Sequence, residues 1–315
     1  MTAPPGPEEI RKAAERIAPY THRTPILTSE ALNHLTSCQL FFKAENFQKA
    51  GAFKSRGAVN AVFSLSNEEI KNGVCTHSSG NHAGALSRAA RLRSTPAHIV
   101  MPRNSNPIKV AAVKEYGGII TFCEPTLEAR ESTLAEVKKK TGAIEIHPYD
   151  DYRIIAGQAT AALEVFESGI LPDFILAPVG GGGLLSGTAL STHYTSPETR
   201  VIAAEPAGAD DAFRSFTSGV FQPSVNPQTL ADGLLTSLGS LTWPLIQKYV
   251  NEILTVKEAT IIQAMKWIWE RMKIIIEPSS AVPLAAVLEN RDKFRDARVV
   301  IILSGGNADL DHLPW

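Results

Sequence analysis

From Phe174 to Val179 the chain reads Phe-Ile-Leu-Ala-Pro-Val, and it opens at once into Gly180-Gly181-Gly182-Gly183 before a helical run begins at Leu184. A short apolar run without polar alternation is the pattern of a strand buried on both faces, the usual state of a parallel sheet. Parallel strands need crossover helices, so this one stretch points to an α/β chain. Four glycines between strand and helix allow close backbone approach and leave N–H groups facing a guest, for which a phosphate or another anion is the natural fit. The nucleotide patterns fail at residues that their mechanics require. A G-x-G-x-x-G started at Gly180 or Gly181 ends at Leu185 or Ser186, and a P-loop started at Gly182 has Thr188 in place of its lysine.

The same strand, turn and helix rhythm recurs upstream. The spacing predicts strands over 74–77, 98–101, 119–123 and 143–147, with helices over 83–92, 107–116 and 127–141, so 74–147 is expected to form a lobe of its own. The remainder, 1–73 and 148–315, is expected to form a larger lobe. It has predicted helices over 8–17, 57–65, about 159–168 (after 154–158), 257–272 and 279–288, strands over 40–44, 174–179, 201–204 and 299–303, and an irregular or mixed stretch over 208–226. At 315 residues the chain exceeds the usual size of one core.

Composition narrows the function. A net charge of -1 excludes a general attraction to nucleic acid or anionic membrane, and no uninterrupted apolar segment is long enough to cross a bilayer. Cys38, Cys75 and Cys123 are too few and too scattered for a disulfide framework or a Cys-x-x-Cys metal site, so a reduced, cytoplasmic setting is expected. Lys54 sits between Gly51 and an aromatic on one side and Ser55-Arg56-Gly57-Ala58 on the other, at the start of the predicted 57–65 helix. Burial there would lower its pKa and free its amine. A phosphate site without a nucleotide pattern, together with such a lysine, points to pyridoxal 5′-phosphate, whose aldehyde condenses with a lysine amine.

Phe53-Lys54-Ser55-Arg56-Gly57-Ala58, Ser78-Ser79-Gly80-Asn81-His82, Pro178-Val179-Gly180-Gly181-Gly182-Gly183-Leu184 and Leu303-Ser304-Gly305-Gly306-Asn307 resemble, in this order, the signature blocks of the fold-type II pyridoxal-phosphate enzymes. Within that group the chain is most similar to the serine racemase and serine/threonine dehydratase branch, over essentially its whole length. The resemblance implies two lobes, each with a twisted, mainly parallel sheet flanked by helices, the smaller one (74–147) mobile, and assembly as a homodimer. It makes Lys54 the Schiff-base lysine, Gly180, Gly181, Gly182, Gly183 and Leu184 the phosphate cradle, Asn81 the partner of the cofactor's 3-oxygen and Ser304 that of its ring nitrogen. Phe53 would pack beside the ring.

Ser79 would be the acid/base on the face opposite Lys54, although a serine at such a turn equally serves as a helix cap. Ser78, Ser79, Gly80, Asn81 and His82 would receive the substrate carboxylate. Arg130 falls near the substrate pocket of the racemase pattern, with a helix-surface salt bridge as the alternative. Glu277, just before Pro278-Ser279-Ser280, is either catalytic or a helix-start carboxylate. Glu205, the Ala209 carbonyl and Asp211 would bind a divalent cation, Mg²⁺ or Ca²⁺. Position 149 is tyrosine where the mammalian racemases have asparagine, which bears on the balance of racemase and eliminase. The end at Trp315, just after the Ser304 block, leads to the expectation of no C-terminal regulatory domain.

The expected reaction is racemisation, β-elimination, or both, of serine or threonine-like hydroxy amino acids, the latter giving a 2-oxo acid and ammonia. A threo-3-hydroxyaspartate ammonia-lyase, with Arg130 reading the second carboxylate, and a cofactor-binding sensor without turnover are the alternatives.

Overall fold

A computed structural model describes residues 3–315. Ten strands are arranged in two sheets: β1 (Ile26–Leu27), β2 (Gln39–Ala44), β3 (Val74–His77), β4 (Ala97–Pro102), β5 (Ile119–Cys123), β6 (Ile144–Glu145), β7 (Phe174–Pro178), β8 (Arg200–Pro206), β9 (Glu252–Val256) and β10 (Arg298–Leu303). The larger sheet has the order β1-β2-β10-β7-β8-β9, and only the β1–β2 pair is antiparallel. The smaller has the order β5-β4-β3-β6 and is parallel throughout. In β10 every residue after Arg298 is buried, as a central parallel strand covered on both faces requires. One face packs under the helices Glu258–Met272 and Pro278–Glu289, the other against Tyr152–Glu167 and Gly183–Thr195.

All four strands of the smaller sheet fall within the expected 74–147 segment. Its apolar face, however, is completed from outside that segment: Ala58, Val59, Ala61 and Val62 of the helix Lys54–Ser64 pack with Val74, Ile99, Met101 and Leu86. The lysine-bearing helix therefore lies between the two sheets.

Three helices form the centre of the molecule and meet backbone to backbone. A Cβ on Gly157 would come within 2.6 Å of the Gly57 Cα and 2.7 Å of the Arg56 carbonyl. A Cβ on Gly187 would come within 2.6 Å of the Ala159 nitrogen. The helices Lys54–Ser64 and Gly183–Thr195 are thus both pressed onto Tyr152–Glu167, and each presents its N-terminus to the same cleft. Beside this contact lies a buried ionic cluster. Arg56 donates to Glu45 (2.7 and 2.8 Å) and to Glu164 (2.7 and 2.8 Å), and Lys43 donates to Glu164 (2.5 Å) and to the Thr24 carbonyl (2.8 Å).

The elements not foreseen include the helices Glu30–Thr36, Asn67–Ile70, Thr242–Tyr249 and Arg291–Phe294 and the edge strand β9. The mixed stretch over 208–226 contains the helix Asp211–Ser218, and the strand expected over 143–147 shortens to β6. No helix among the described residues is long and apolar enough to cross a membrane. Cys38, Cys75 and Cys123 are free and buried.

Candidate active site

Lys54 is the first residue of its helix, where a backbone N–H has no intrahelical acceptor and the side chain projects past the helix end. Its amine donates to the Pro148 carbonyl at 2.7 Å and lies 5.1 Å from the centre of the Phe53 ring. Burial pushes the amine down to about 8, against a smaller upward pull from the Glu277 carboxylate. A lysine in this state supplies a free amine near neutral pH, as a nucleophile or base requires.

The Phe53 N–H donates to the Ser304 carbonyl at 3.0 Å, and Ala52 bridges Gly305, so the end of β10 runs beside the lysine turn. Ser304 is buried, its hydroxyl 3.1 Å from that of Ser280. Neutral hydroxyls face this part of the cleft. The residue after Pro148 carries the wall onward to the glycine loop, because the Tyr149 ring lies flat on Gly181: a Cβ there would come within 2.3 Å of the ring. Gly183 meets the Tyr149 Cβ, Gly180 meets the Leu234 Cα, and Gly182, at φ +87, meets Thr242 and Ile246. Close packing of the chain thus accounts for each glycine without a ligand. The fit to a phosphate comes instead from the N-terminus of the helix Gly183–Thr195, whose first N–H groups, Leu184 among them, have no intrahelical acceptor and carry the positive end of the helix dipole.

On the opposite wall, the turn after β3 carries Ser78, Ser79 and Gly80 into the helix Asn81–Leu92. The helix cap is Gly80 and no side chain caps it, so the capping role open to Ser79 in the sequence is not the one it plays. Ser78 does act locally, accepting from the Gly80 N–H at 3.3 Å. Asn81 donates to both carboxylate oxygens of Glu277, at 2.8 and 3.1 Å, and accepts from Asn307 at 2.9 Å. Glu277 precedes a helix but its side chain does not cap it. Burial, then the charge of Asp232, push its carboxyl up to about 7, opposed by Lys109, the Asn81 bond and Lys54.

His82 is buried. Its Nε2 donates to the Ile146 carbonyl at 3.1 Å, which leaves Nδ1 as a buried acceptor with no partner among the described residues. Burial first, and then the charge of Lys54, push it down to about 3, so the imidazole is neutral. Beside it, His147 accepts the Asp150 N–H on Nδ1 at 2.8 Å and meets the Tyr149 ring edge-on at 4.6 Å. Burial lowers His147 to about 4 and raises the Tyr149 phenol to about 12.

Arg130, in the helix Leu127–Thr141, forms no ion pair among the described residues, and its Nε is buried without a hydrogen-bond partner. The salt-bridge alternative therefore does not hold. Its charge acts on His77, whose ring stands 6.2 Å from that of His147.

Away from the cleft, Glu205 is the last residue but one of β8 and is buried with Ala209 and Asp211. Glu205 accepts the Ala212 and Phe213 N–H groups at 2.9 and 2.8 Å, capping the helix Asp211–Ser218, while the buried Asp211 Oδ2 has no hydrogen-bond partner. Two buried carboxylates of like charge with an orphaned oxygen are a donor set that fits a hard divalent cation. Burial pushes Glu205 up to about 8, against the Phe213 and Ala212 N–H groups and with smaller contributions from Asp211 and Asp210, and pushes Asp211 up to about 6, against Arg214 and with the charge of Asp210.

Two contributors were invisible in the sequence. Pro148 acts through its backbone carbonyl, which no residue type reveals. Asp150 accepts the N–H groups of Ser240 (2.9 Å), Leu241 (2.7 Å) and Thr242 (3.2 Å), pinning the Pro148–Tyr149 wall to the start of the helix Thr242–Tyr249. Its only sequence signal is an acid beside Tyr149, in a segment that reads as a junction.

The pyridoxal-phosphate dependent enzyme family matches residues 17–305. β-Hydroxyaspartate dehydratase of Paracoccus denitrificans (strain Pd 1222) is 53% identical over 308 residues, covering 98% of both chains. Serine racemase of Dictyostelium discoideum is 49% identical over 310 residues, covering 97% of this chain and 96% of its own. The structure of maize serine racemase superposes with a TM-score of 0.96 at 44% identity, covering 98% of this chain and 95% of the other. A lysine with a lowered pKa, a helix N-terminus beside it and this full-length likeness have one common account: the chain belongs to the pyridoxal-phosphate dependent enzymes of fold type II, in the branch of the serine racemases and serine/threonine dehydratases.

Proposed function

We propose that the protein eliminates water from a small hydroxy amino acid, giving an enamine that one water then hydrolyses to a 2-oxo acid and ammonia, and racemises the same class of substrate. The reading rests above all on Lys54: a lysine amine lowered to about 8, in one cleft with the glycine loop and with a serine turn whose Ser79 does no capping. Bound pyridoxal phosphate supplies the electron sink that makes the substrate Cα–H acidic. In this reading the 180–183 loop, with Leu184, holds the phosphate. Ser304 faces the ring nitrogen as a neutral hydroxyl, which does not keep that nitrogen protonated and so favours prompt loss of a β-substituent. Phe53 flanks the ring, and Asn81 contacts its 3-oxygen.

Ser78, Gly80 and His82, with Ser79 and Asn81, form the turn that receives the substrate carboxylate at a helix start. Lys54 takes the α-proton. Return of a proton from Ser79 on the other face gives the enantiomer, whereas loss of the β-hydroxyl commits the substrate to elimination. The 74–147 segment closes over the cleft and excludes water. Glu205, Asp211 and the Ala209 carbonyl hold a divalent cation, Mg²⁺ or Ca²⁺, in a structural role. The homodimer and the cytoplasmic setting belong to the same proposal.

A second reading, 3-hydroxyaspartate as the preferred substrate, is favoured by Arg130, a guanidinium with a buried, unpartnered Nε, and by the Paracoccus relative at 53% identity. One experiment separates these readings. The holoenzyme is incubated with L-serine, D-serine, L-threonine and threo-3-hydroxyaspartate while 2-oxo acid and enantiomeric composition are measured together. Oxo acid without enantiomer removes the racemase half. Turnover confined to hydroxyaspartate selects the second reading, and cofactor binding without any product would leave only a sensor.

A further inference from the structure

Asn81 is held from both sides by residues with no role in the scheme above. The holding chain begins at a backbone carbonyl, which fixes its polarity. Asn307 Nδ2 donates to the Ala50 carbonyl at 2.9 Å, and a carbonyl can only accept. The same Nδ2 donates its other hydrogen to Asn81 Oδ1 at 2.9 Å. With its oxygen committed to Asn307, Asn81 must turn its NH₂ the other way, and there it meets both oxygens of Glu277, at 2.8 and 3.1 Å.

The Glu277 carboxylate is free for this because it leaves its own helix uncapped. It is buried and pressed against Gly305, where a Cβ would come within 2.6 Å of Oε1. At the other end, the Asn307 side chain lies so close to Gly51, at φ +71, that a Cβ there would come within 2.2 Å of it. Gly305 and Gly51, having no side chain, leave the space that the two side chains occupy.

We infer that Glu277 and Asn307 are positioning residues that fix which end of the Asn81 amide faces the cofactor, so that Asn81 meets the ring 3-oxygen as a donor. An asparagine amide is nearly symmetric in shape but opposite in polarity at its two ends, and only its partners choose between them. An ionised Glu277 demands the NH₂, one hydrogen of which its two oxygens share, and leaves the other hydrogen for the ring oxygen. A protonated Glu277 offers a donor of its own and relaxes that demand. The charged and polar groups facing Glu277 are Lys54, Asn81, Lys109 and Asp232, each from a different element. Burial, then the charge of Asp232, raise its carboxyl to about 7 against Lys109, the Asn81 bond and Lys54, so its proton is exchanged in the neutral range. Asn307 thus fixes the sense of the Asn81 amide, and the strength of the Glu277 bond that holds it in place is coupled to pH. This inference rests on the pyridoxal-phosphate reading of the cleft and on Asn81 as a contact of the ring oxygen.

The test uses full-length protein loaded with pyridoxal phosphate and reads the visible absorbance of the bound cofactor through the neutral range, together with its dissociation constant. Wild type is expected to show a pH-dependent change in that absorbance. Glu277→Gln, whose amide oxygen still accepts, is expected to lose the pH-dependent change while binding the cofactor within a few-fold of wild type. Glu277→Leu, which offers no acceptor, is expected to bind about tenfold more weakly, the loss typical of one charge-assisted hydrogen bond. Asn307→Ala, at an exposed position that tolerates truncation, is expected to weaken binding several-fold and keeps the inference testable if Glu277→Leu fails to fold. A packing role alone predicts that Glu277→Gln and Glu277→Leu behave alike. Wild-type absorbance that both variants reproduce, with unchanged affinity, would overturn the inference and leave the cofactor reading intact. Wild type that binds no pyridoxal phosphate would overturn both.

Discussion

Lys54→Ala leaves the glycine loop and the serine turn in place but removes the amine, so 2-oxo acid release by the loaded enzyme is expected to fall on the order of 10³-fold or more. Activity within tenfold of wild type would show that another group takes the α-proton. Ser79→Ala should suppress formation of the enantiomer much more than elimination from L-serine, since only the former needs a proton on the second face. Both products are read from one incubation. His82 offers a test of the buried imidazole itself. Its proton is refused in the folded state, where burial holds it to about 3, but accepted in the unfolded chain at the ordinary 6.5. Its neutral form contributes full stability above 6.5. Each pH unit below that costs about 1.4 kcal/mol until pH nears 3. His82→Gln, which can still donate to the Ile146 carbonyl, is expected to remove that part of the slope in urea midpoints measured across pH; an unchanged slope would mean that His82 is not held neutral.

At the level of elements, the Arg56 cluster ties the lysine-bearing helix to β2 and to the helix Tyr152–Glu167. Arg56→Met would strand Glu45 as a buried carboxylate and leave Glu164 with Lys43 alone, and is expected to destabilise the fold by about 3–5 kcal/mol, read as a lowered urea midpoint. At the end of β8, removal of divalent cations by a chelator is expected to lower the melting temperature of wild type, and Glu205→Gln should abolish that response. A chelator without effect on wild type would argue against a cation there.

The elements legible in the sequence are those with a strong local pattern. The apolar run of β7, the Ala-rich helix Asn81–Leu92 and the buried β10 each carry their own period, and the four blocks that meet at the cleft carry Lys54, Asn81, the glycine loop and Ser304. What was not legible depends on distant partners. β9 is a short edge strand with only Ile253 and Val256 buried, and Thr242–Tyr249 takes its start from Asp150, remote in sequence. Glu277 could not be assigned because a carboxylate before Pro278 looks the same whether it caps a helix or reaches across a cleft.

Across the whole molecule, the two sheets are joined over the cleft by few contacts: Asn81 with Glu277 and Asn307, Lys54 with Pro148, and an ion pair between Lys109 and Asp232. Cofactor and substrate together are expected to slow amide hydrogen exchange in the turn after β3 and in the helix Pro107–Glu115, while β7 and β10, already in the protected core, change little. Uniform slowing across both sheets would argue against movement of the smaller one.

The backbone contacts at Gly57, Gly157 and Gly187 bear on how such a scaffold can diversify. None of these glycines belongs to the proposed ligand contacts, yet a side chain at Gly157 or Gly187 would collide with main-chain atoms that cannot rotate away. A saturation library should therefore find these positions closed to substitution, even though nothing about the reaction asks for glycine there. Tyr149, packed on the glycine loop, and Arg130, in the helix Leu127–Thr141, lie outside that spine. New substrate preferences can accumulate along the walls while the spacing between the lysine and the glycine loop is inherited unchanged.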